Sequence, residues 1–210
     1  MTAVFKHELR AYFHSLTAYV FGAFLLAFIG IGAMLYNLQA AVSNFEYVLS
    51  FASLVFVVIV PVLTMRVLAE ECRQKTDQLL YSLPITTVQI IAGKYLALLV
   101  LYLIPLAIIA VYPLIFAQFG DVYLLTSYGS ILAFFLLGAV EIAVGMLISS
   151  LTESQIIAAV GTFGLLLLLY LWDGLVGFLP STAVGSLLGF FVVLILVCFL
   201  INALSNNWKV

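Results

Sequence analysis

Long apolar stretches without charge dominate the chain and alternate with short polar segments. A transmembrane helix needs about 20 mostly apolar residues, and these stretches are continuous rather than alternating with the period of a strand. The pattern therefore predicts an all-α, polytopic membrane domain that occupies residues 1–210. Its six spanning helices are expected near residues 17–38, 47–66, 95–119, 125–150, 154–172 and 182–204.

The only sizeable polar stretch covers residues 66–94, between spans two and three. Apolar residues recur in it at spacings of three and four, which predicts an amphipathic helix continuing from span two. Pro84 is expected to end this helix. Thr86 and Gln89 have the spacing of a capping box for a second short helix, which is expected to run into span three. A plain connector needs only a few residues. Two interpretations stay open, a solvated connector lying on the membrane and a docking surface for a partner protein.

A further amphipathic helix is predicted at the N-terminus, before span one. Apolar residues lie on one side and basic residues mostly on the other, which is typical of a helix in the headgroup plane of a bilayer. We therefore expect an interfacial elbow that anchors the entry into span one. Its defining residues are Phe5, Lys6, Leu9, Arg10 and Phe13. His7 and His14 have no cysteine or acid at ligand spacing, so no metal site is predicted.

Composition narrows the class further. Hydrophobic residues make up 66% and charged residues 8% of the chain, against about 45–50% and about 25% in soluble domains. These values exclude a water-soluble domain, and the high apolar content excludes a disordered chain. The net charge of −2 provides no basic surface for nucleic acid. Cys72 and Cys198 show no disulfide or metal spacing, which favours a structural role.

The few charges also predict the orientation. With six spans, all seven lysine and arginine residues fall on the side of the N-terminus, and the opposite loops carry only the acids Glu46, Asp121 and Asp173. Basic residues are enriched in cytoplasmic loops. We therefore expect cytoplasmic N- and C-termini in the cell membrane.

Candidate chemistry is sparse. The phosphate-binding pattern G-x-x-x-x-G-K-[ST] does not occur in the sequence, and no catalytic residues are predicted. Glu141 is the one ionisable residue inside a span, and such residues are costly there and often functional. With no basic residue in a span to pair with it, we expect a protonated, hydrogen-bonded carboxyl or one that faces a wet cavity. A packing role and a role in a substrate or proton path both stay open.

Three segments resemble the permeases of ABC-2 type transporters, most closely the subgroup labelled gliding-motility-associated permeases. The first is Val4 to Phe13, which resembles the entry helix of that family. The second contains Pro61 to Arg66, Leu68 to Glu71, Ser82 to Ile85 and Gly93-Lys94-Tyr95, and resembles its first cytoplasmic loop. The third is Ser149 to Gln155, which resembles the turn between spans four and five. The three segments occur in the family's order.

The resemblance implies a permease that dimerises, with a second copy or a homologous permease, and that binds a separate ATP-binding-cassette ATPase. No cofactor is then expected on this chain, because ATP is used by the partner. The resemblance shifts the interpretation of the polar loop towards docking. It assigns that role to Glu70, Glu71, Arg73, Thr76, Leu79, Leu80 and Leu83. Movement of the loop is expected to tilt spans two and three and to drive export.

Two other functions remain as alternatives, an ATP-independent carrier or channel that uses Glu141 and a membrane scaffold without transport activity. The sequence departs from the family at its end. Longer members continue into further spans beyond a region like residues 200–210, and the external segment before the last span is short. A short natural form and a fragment that lacks its C-terminal continuation are both compatible with this. The almost purely apolar spans identify no substrate.

Overall fold

The computed structural model describes residues 2–39, 44–69, 87–118, 122–172 and Gly174. Among these residues the regular secondary structure is entirely helical, as the all-α prediction requires. Residues up to Leu167 form one compact unit. A second unit begins at Leu168, and the structure describes only residues 168–172 and Gly174 of it.

The structure describes three helices in the first half of the chain. Helix α1 covers Thr2–His14 and is separated from α2, Leu16–Gly32, by Ser15. Ser15 has an extended backbone (φ −93°, ψ 145°), which interrupts the helix, and its hydroxyl bonds to that of Thr17. Helix α2 continues as a π-helical segment over Ala33–Gln39. Helix α3 covers Glu46–Thr64.

Four further helices are described after residue 86. Helix α4 covers Thr87–Ile109 and is followed by the short α5, Tyr112–Phe116, which has a proline in its first turn. Helix α6 covers Leu124–Ser150. A turn closed by the Leu151 amide on the Ile148 carbonyl, at 3.0 Å, leads towards α7, Gln155–Tyr170.

The first four predicted spans are present as helical segments long and apolar enough to cross a membrane, over Leu16–Gln39, Glu46–Thr64, Thr87–Phe116 and Leu124–Ser150. Helix α4 begins at Thr87, one residue after the start predicted for the short helix, and it runs without a break into span three, as the sequence predicted. The apolar segment itself begins earlier than the predicted residue 95, because it includes Lys94. The predicted fifth span corresponds to α7, whose 16 residues measure about 24 Å. The predicted sixth span, 182–204, lies outside the described residues.

Helix α3 is the most enclosed of these four segments. In its most apolar window 61% of the residues are buried, against 33–39% in the other three. It packs against both α2 and α6, while α4 packs against α1, α2 and α6. Aromatic rings fill the space between these helices, with centroids of Phe56 and Tyr102 4.9 Å apart and those of Phe56 and Phe134 5.4 Å apart.

Glycine allows α6 to approach this aromatic cluster. A Cβ added at Gly138 would lie 2.6 Å from the Tyr102 ring and 2.8 Å from the Phe56 ring. Two tyrosines of α4 then donate hydrogen bonds to α6 carbonyls, Tyr102 to Phe134 at 2.9 Å and Tyr95 to Ala139 at 3.0 Å. Helices α3, α4 and α6 therefore form a closely packed group.

Candidate functional site

The seven residues predicted to form the docking surface lie outside the described residues. They are Glu70, Glu71, Arg73, Thr76, Leu79, Leu80 and Leu83. The structure does describe both ends of the polar loop, residues 65–69 after α3 and the start of α4 at Thr87. A force on a loop reaches the spans through its ends, so the contacts of these ends define the candidate site.

Ser149 holds the first end of the loop. Its Oγ accepts hydrogen bonds from the backbone amides of Leu68, at 3.2 Å, and Ala69, at 3.1 Å. The same hydroxyl donates to the carbonyl of Met65 at 3.4 Å. Ser149 is completely buried, and buried backbone amides require a partner. The last turn of α6 thus supplies partners for the segment that leaves α3.

Lys94 forms a second contact with the same segment. Its side chain is buried in α4, and its Nζ donates to Glu8 Oε1 of α1 at 2.9 Å and to the carbonyl of Val67 at 3.5 Å. The Glu8 side chain is 17% exposed and that of Lys94 only 2%. A buried ammonium group is costly unless it is paired and hydrogen-bonded. This pair therefore holds α1, α4 and the end of α3 together.

A close backbone approach accompanies the ion pair. A Cβ added at Gly93 would lie 3.3 Å from Val4 Cγ1 and 3.4 Å from the backbone nitrogen of Phe5. The absence of a side chain at Gly93 lets α1 cross α4 at short distance, which brings Glu8 within reach of Lys94. We call Glu8, Lys94, Ser149 and residues 65–69 the loop-anchor cluster.

The residues predicted for the N-terminal elbow are distributed over two faces of α1. Phe5 and Leu9 are half-buried, whereas Lys6, Arg10 and Phe13 are exposed. The sequence prediction placed Phe13 with Phe5 and Leu9 on one apolar face. The packed face of α1 instead includes the acidic Glu8, because Lys94 provides a partner for it.

Glu141 lies on α6 and is half-buried. Its Oε2 atom is buried and has no hydrogen-bond partner among the described residues. The neighbouring Gly138 and Gly145 both face close packing. A Cβ added at Gly145 would lie 2.8 Å from that of Thr64. The described residues thus show a carboxyl beside the α3–α6 contact with one oxygen unpaired.

No metal-binding group accompanies these features in the described part of the chain. No group of three or more histidine, cysteine or acidic residues converges there. A groove of about 230 Å³ lies between α2 and α3, and its lining, which includes Val20, Phe24 and Val62, is apolar apart from Thr17. Such a lining can accept apolar chains but offers little for polar recognition.

Sequence reasoning did not find the loop-anchor cluster. Lys94 was assigned to the polar loop, although it is the only charged residue in the otherwise apolar stretch Thr87–Phe116. That isolation was the available signal, because a lone charge within an apolar helix needs a partner. Ser149 gave no comparable signal, since its partners are backbone amides about 80 residues away.

Four helices able to cross a bilayer, joined to a buried cluster at the ends of a polar loop, define a multi-pass membrane protein. The family model described as ABC-2 family transporter protein matches residues 2–188, most of the chain. The chain therefore belongs to the ABC-2 transporter family and is a membrane permease subunit of an ABC transporter. Comparison with curated proteins gave no match, and comparison with solved structures gave none either.

Family membership confirms the resemblance at the level of the family. It also supports the expectation of a non-catalytic membrane subunit, since ATPase activity belongs to a separate family of subunits. The three segments that carried the resemblance meet in the described structure. Glu8 of the first and Lys94 of the second form the ion pair, and Ser149 of the third binds residues that follow α3.

Proposed function

We propose that this chain forms the transmembrane pathway of an exporter that is driven by a separate ATP-binding chain. The observation that carries the proposal is the loop-anchor cluster. Both Lys94 and Ser149 bind the segment that leads from α3 into the polar loop, and each belongs to a different spanning helix. A push on the loop would therefore be delivered directly to the spans.

The docking surface for the ATP-binding chain is assigned to the polar loop. Its residues are Glu70, Glu71, Arg73, Thr76, Leu79, Leu80 and Leu83. Acidic and basic residues beside leucines at helical spacing suit a partner surface with both polar and apolar contacts. In this proposal ATP is bound and hydrolysed by the partner, and this chain holds no cofactor of its own.

The proposed arrangement in the membrane follows the charges. All seven lysine and arginine residues lie on one side if the chain has six spans, which places the loop and both termini in the cytoplasm of a cell membrane. Helix α1 serves as the interfacial elbow in this proposal. Its Lys6 and Arg10 are exposed and can contact lipid headgroups. The whole chain acts as one permease domain.

Two such chains, identical or homologous, line the pathway in this proposal. Within this proposal the chain is assigned to the subgroup of gliding-motility-associated permeases, because the three sequence segments resemble that subgroup. Closure of two ATP-binding chains moves the loop, and the packed helices change which side of the membrane the pathway faces.

The proposal is tested by co-expressing the chain with the ATP-binding-cassette ATPase encoded nearest to it and isolating the complex. The double variant Glu71→Lys, Leu79→Ser is expected to lose the ATPase. The matched control is Glu46→Lys, Leu38→Ser, which alters the same residue types on the predicted opposite side and should retain it. Binding by the loop variant as strong as wild type contradicts the docking assignment.

One observation favours a second function, an ATP-independent carrier or channel. Glu141 presents a buried Oε2 without a partner among the described residues, as expected for a group that binds a proton or a passing solute. Here the purified chain alone would transport in proteoliposomes, and Glu141→Gln would abolish that flux. Flux that appears only with the ATP-binding chain and ATP excludes this alternative.

A further inference from the structure

Ser149 binds backbone amides that a side chain close in sequence would normally bind. Leu68 lies at the end of the turn that follows α3 and Ala69 comes directly after it, and a nearby Ser, Thr, Asp or Asn side chain commonly bonds to such backbone groups. The preceding Arg66, Val67 and Leu68 have no side-chain acceptor. The oxygen comes instead from Ser149, 81 residues beyond Leu68 in the sequence.

The surrounding packing leaves little freedom for this contact. One turn before Ser149, Gly145 lies against Thr64, where an added Cβ would be 2.8 Å from that of Thr64 and 2.9 Å from its Cγ2. Thr64 is the last residue of α3 and is fully buried. Separation of the two helix ends would leave the amides of Leu68 and Ala69 without an acceptor, and unpaired buried amides are costly.

We infer that Ser149 is a positioning residue that couples span four to the polar loop. A displacement of the loop then moves the end of α6 together with the end of α3, so the motion reaches span four as well as spans two and three. This inference rests on the proposed function, because it needs an ATP-binding chain that moves the loop. The coupling path then includes a third spanning helix, α6, and Ser149 Oγ is the atom that links it to the loop.

The adjacent Ser150 provides a matched control. It is exposed, and its hydroxyl donates within its own helix, to the Leu147 carbonyl at 2.6 Å. Ser149→Ala and Ser150→Ala therefore remove the same atom from neighbouring positions, and only the first removes a link between helices. Ser149→Thr retains a hydroxyl and is the conservative variant for rescue.

The test uses the full chain in lipid nanodiscs, co-purified with its ATP-binding partner. Hydrogen–deuterium exchange is followed in peptides covering residues 65–69 and 147–155, with and without ATP and vanadate. In the wild type, the nucleotide is expected to change exchange in both peptides. In Ser149→Ala, residues 68 and 69 should exchange roughly tenfold faster at rest, the size expected for one lost hydrogen bond. The nucleotide response of residues 147–155 should be lost while the partner still co-purifies.

The variants separate coupling from simple destabilisation. Ser149→Thr should restore the response at 147–155, and Ser150→Ala should leave it unchanged. If Ser149→Ala does not accumulate, Ser149→Cys, with a weakly accepting thiol, should show the same loss. A full nucleotide response at 147–155 in the Ser149 variants would overturn the inference alone. A wild-type chain that captures no ATP-binding partner would overturn the proposed function and the inference with it.

Discussion

The ion pair between Glu8 and Lys94 provides the sharpest test of how α1 is held on the spans. Glu8→Leu would remove the Glu8 carboxylate from the Lys94 ammonium, whose side chain is only 2% exposed. Lys94→Met would leave the Glu8 carboxylate in a site that is 17% exposed. The double variant removes both charges and replaces them with apolar side chains of similar length.

The expected energies follow from burial. Removal of one partner of a buried pair costs about 3–5 kcal/mol, whereas replacement of both by apolar residues is often nearly neutral. Glu8→Leu should reach this range, because Lys94 is almost completely enclosed. Lys94→Met should cost less, since Glu8 can recover part of its hydration. The double variant should regain most of the loss, with a coupling energy of about 2–3 kcal/mol.

Equilibrium unfolding of the purified chain in mixed micelles, titrated with a denaturing detergent, measures the three free energies. Lys6→Met, which removes an exposed lysine from the same helix, should change stability by no more than about 0.5 kcal/mol. Additive effects of the two single substitutions would show that Glu8 and Lys94 do not interact, and would refute the argument from burial.

Two further predictions concern the contact of α6 with the aromatic cluster. Gly138→Ala should destabilise the chain by about 1–3 kcal/mol, because the Cβ of the new alanine would meet the buried Tyr102 ring. At Gly129 an added Cβ would meet nothing within 4 Å, so Gly129→Ala should stabilise the chain by about 0.5–1 kcal/mol. Equal effects of the two glycine substitutions in thermal unfolding would contradict the argument from packing. Tyr102→Phe removes the hydrogen bond to the Phe134 carbonyl, which should lower the free energy of unfolding by about 0.5–1.5 kcal/mol. The same unfolding assay should show a smaller change for Tyr128→Phe, since Tyr128 is exposed.

The first four spans were predictable because a bilayer demands a long, uncharged run, and such runs are visible without any knowledge of packing. The start of α4 followed from the capping box at Thr86, but the inclusion of Lys94 in a spanning segment did not follow from hydropathy. The stretch before residue 95 contains Lys94, which a hydropathy pattern assigns to a loop. In the structure that lysine is buried by contacts with α1 and with the end of α3, so the helix continues through it.

The candidate site was predictable only in part. The existence of helix α1 follows from local periodicity, and Glu141 follows from its isolation within a span. The packed face of α1 could not be read from α1 itself. Glu8 is polar, and its burial depends on Lys94, 86 residues away, together with a glycine at position 93 that admits the α1 backbone. The role of Ser149 likewise depends on backbone amides that carry no sequence signature.

The enclosure of α3 has a consequence for any assembly of two chains. In the most apolar window of α3, 61% of the residues are buried against the rest of its own chain, which leaves little of that helix's surface for a second copy or for lipid. The seam between two permeases would then be built from the outward faces of the other spans, which retain most of their apolar surface. In such a dimer α3 would lie among helices of its own subunit. A force applied to the loop at its end would then act first on these packed helices rather than on the contact between the two subunits.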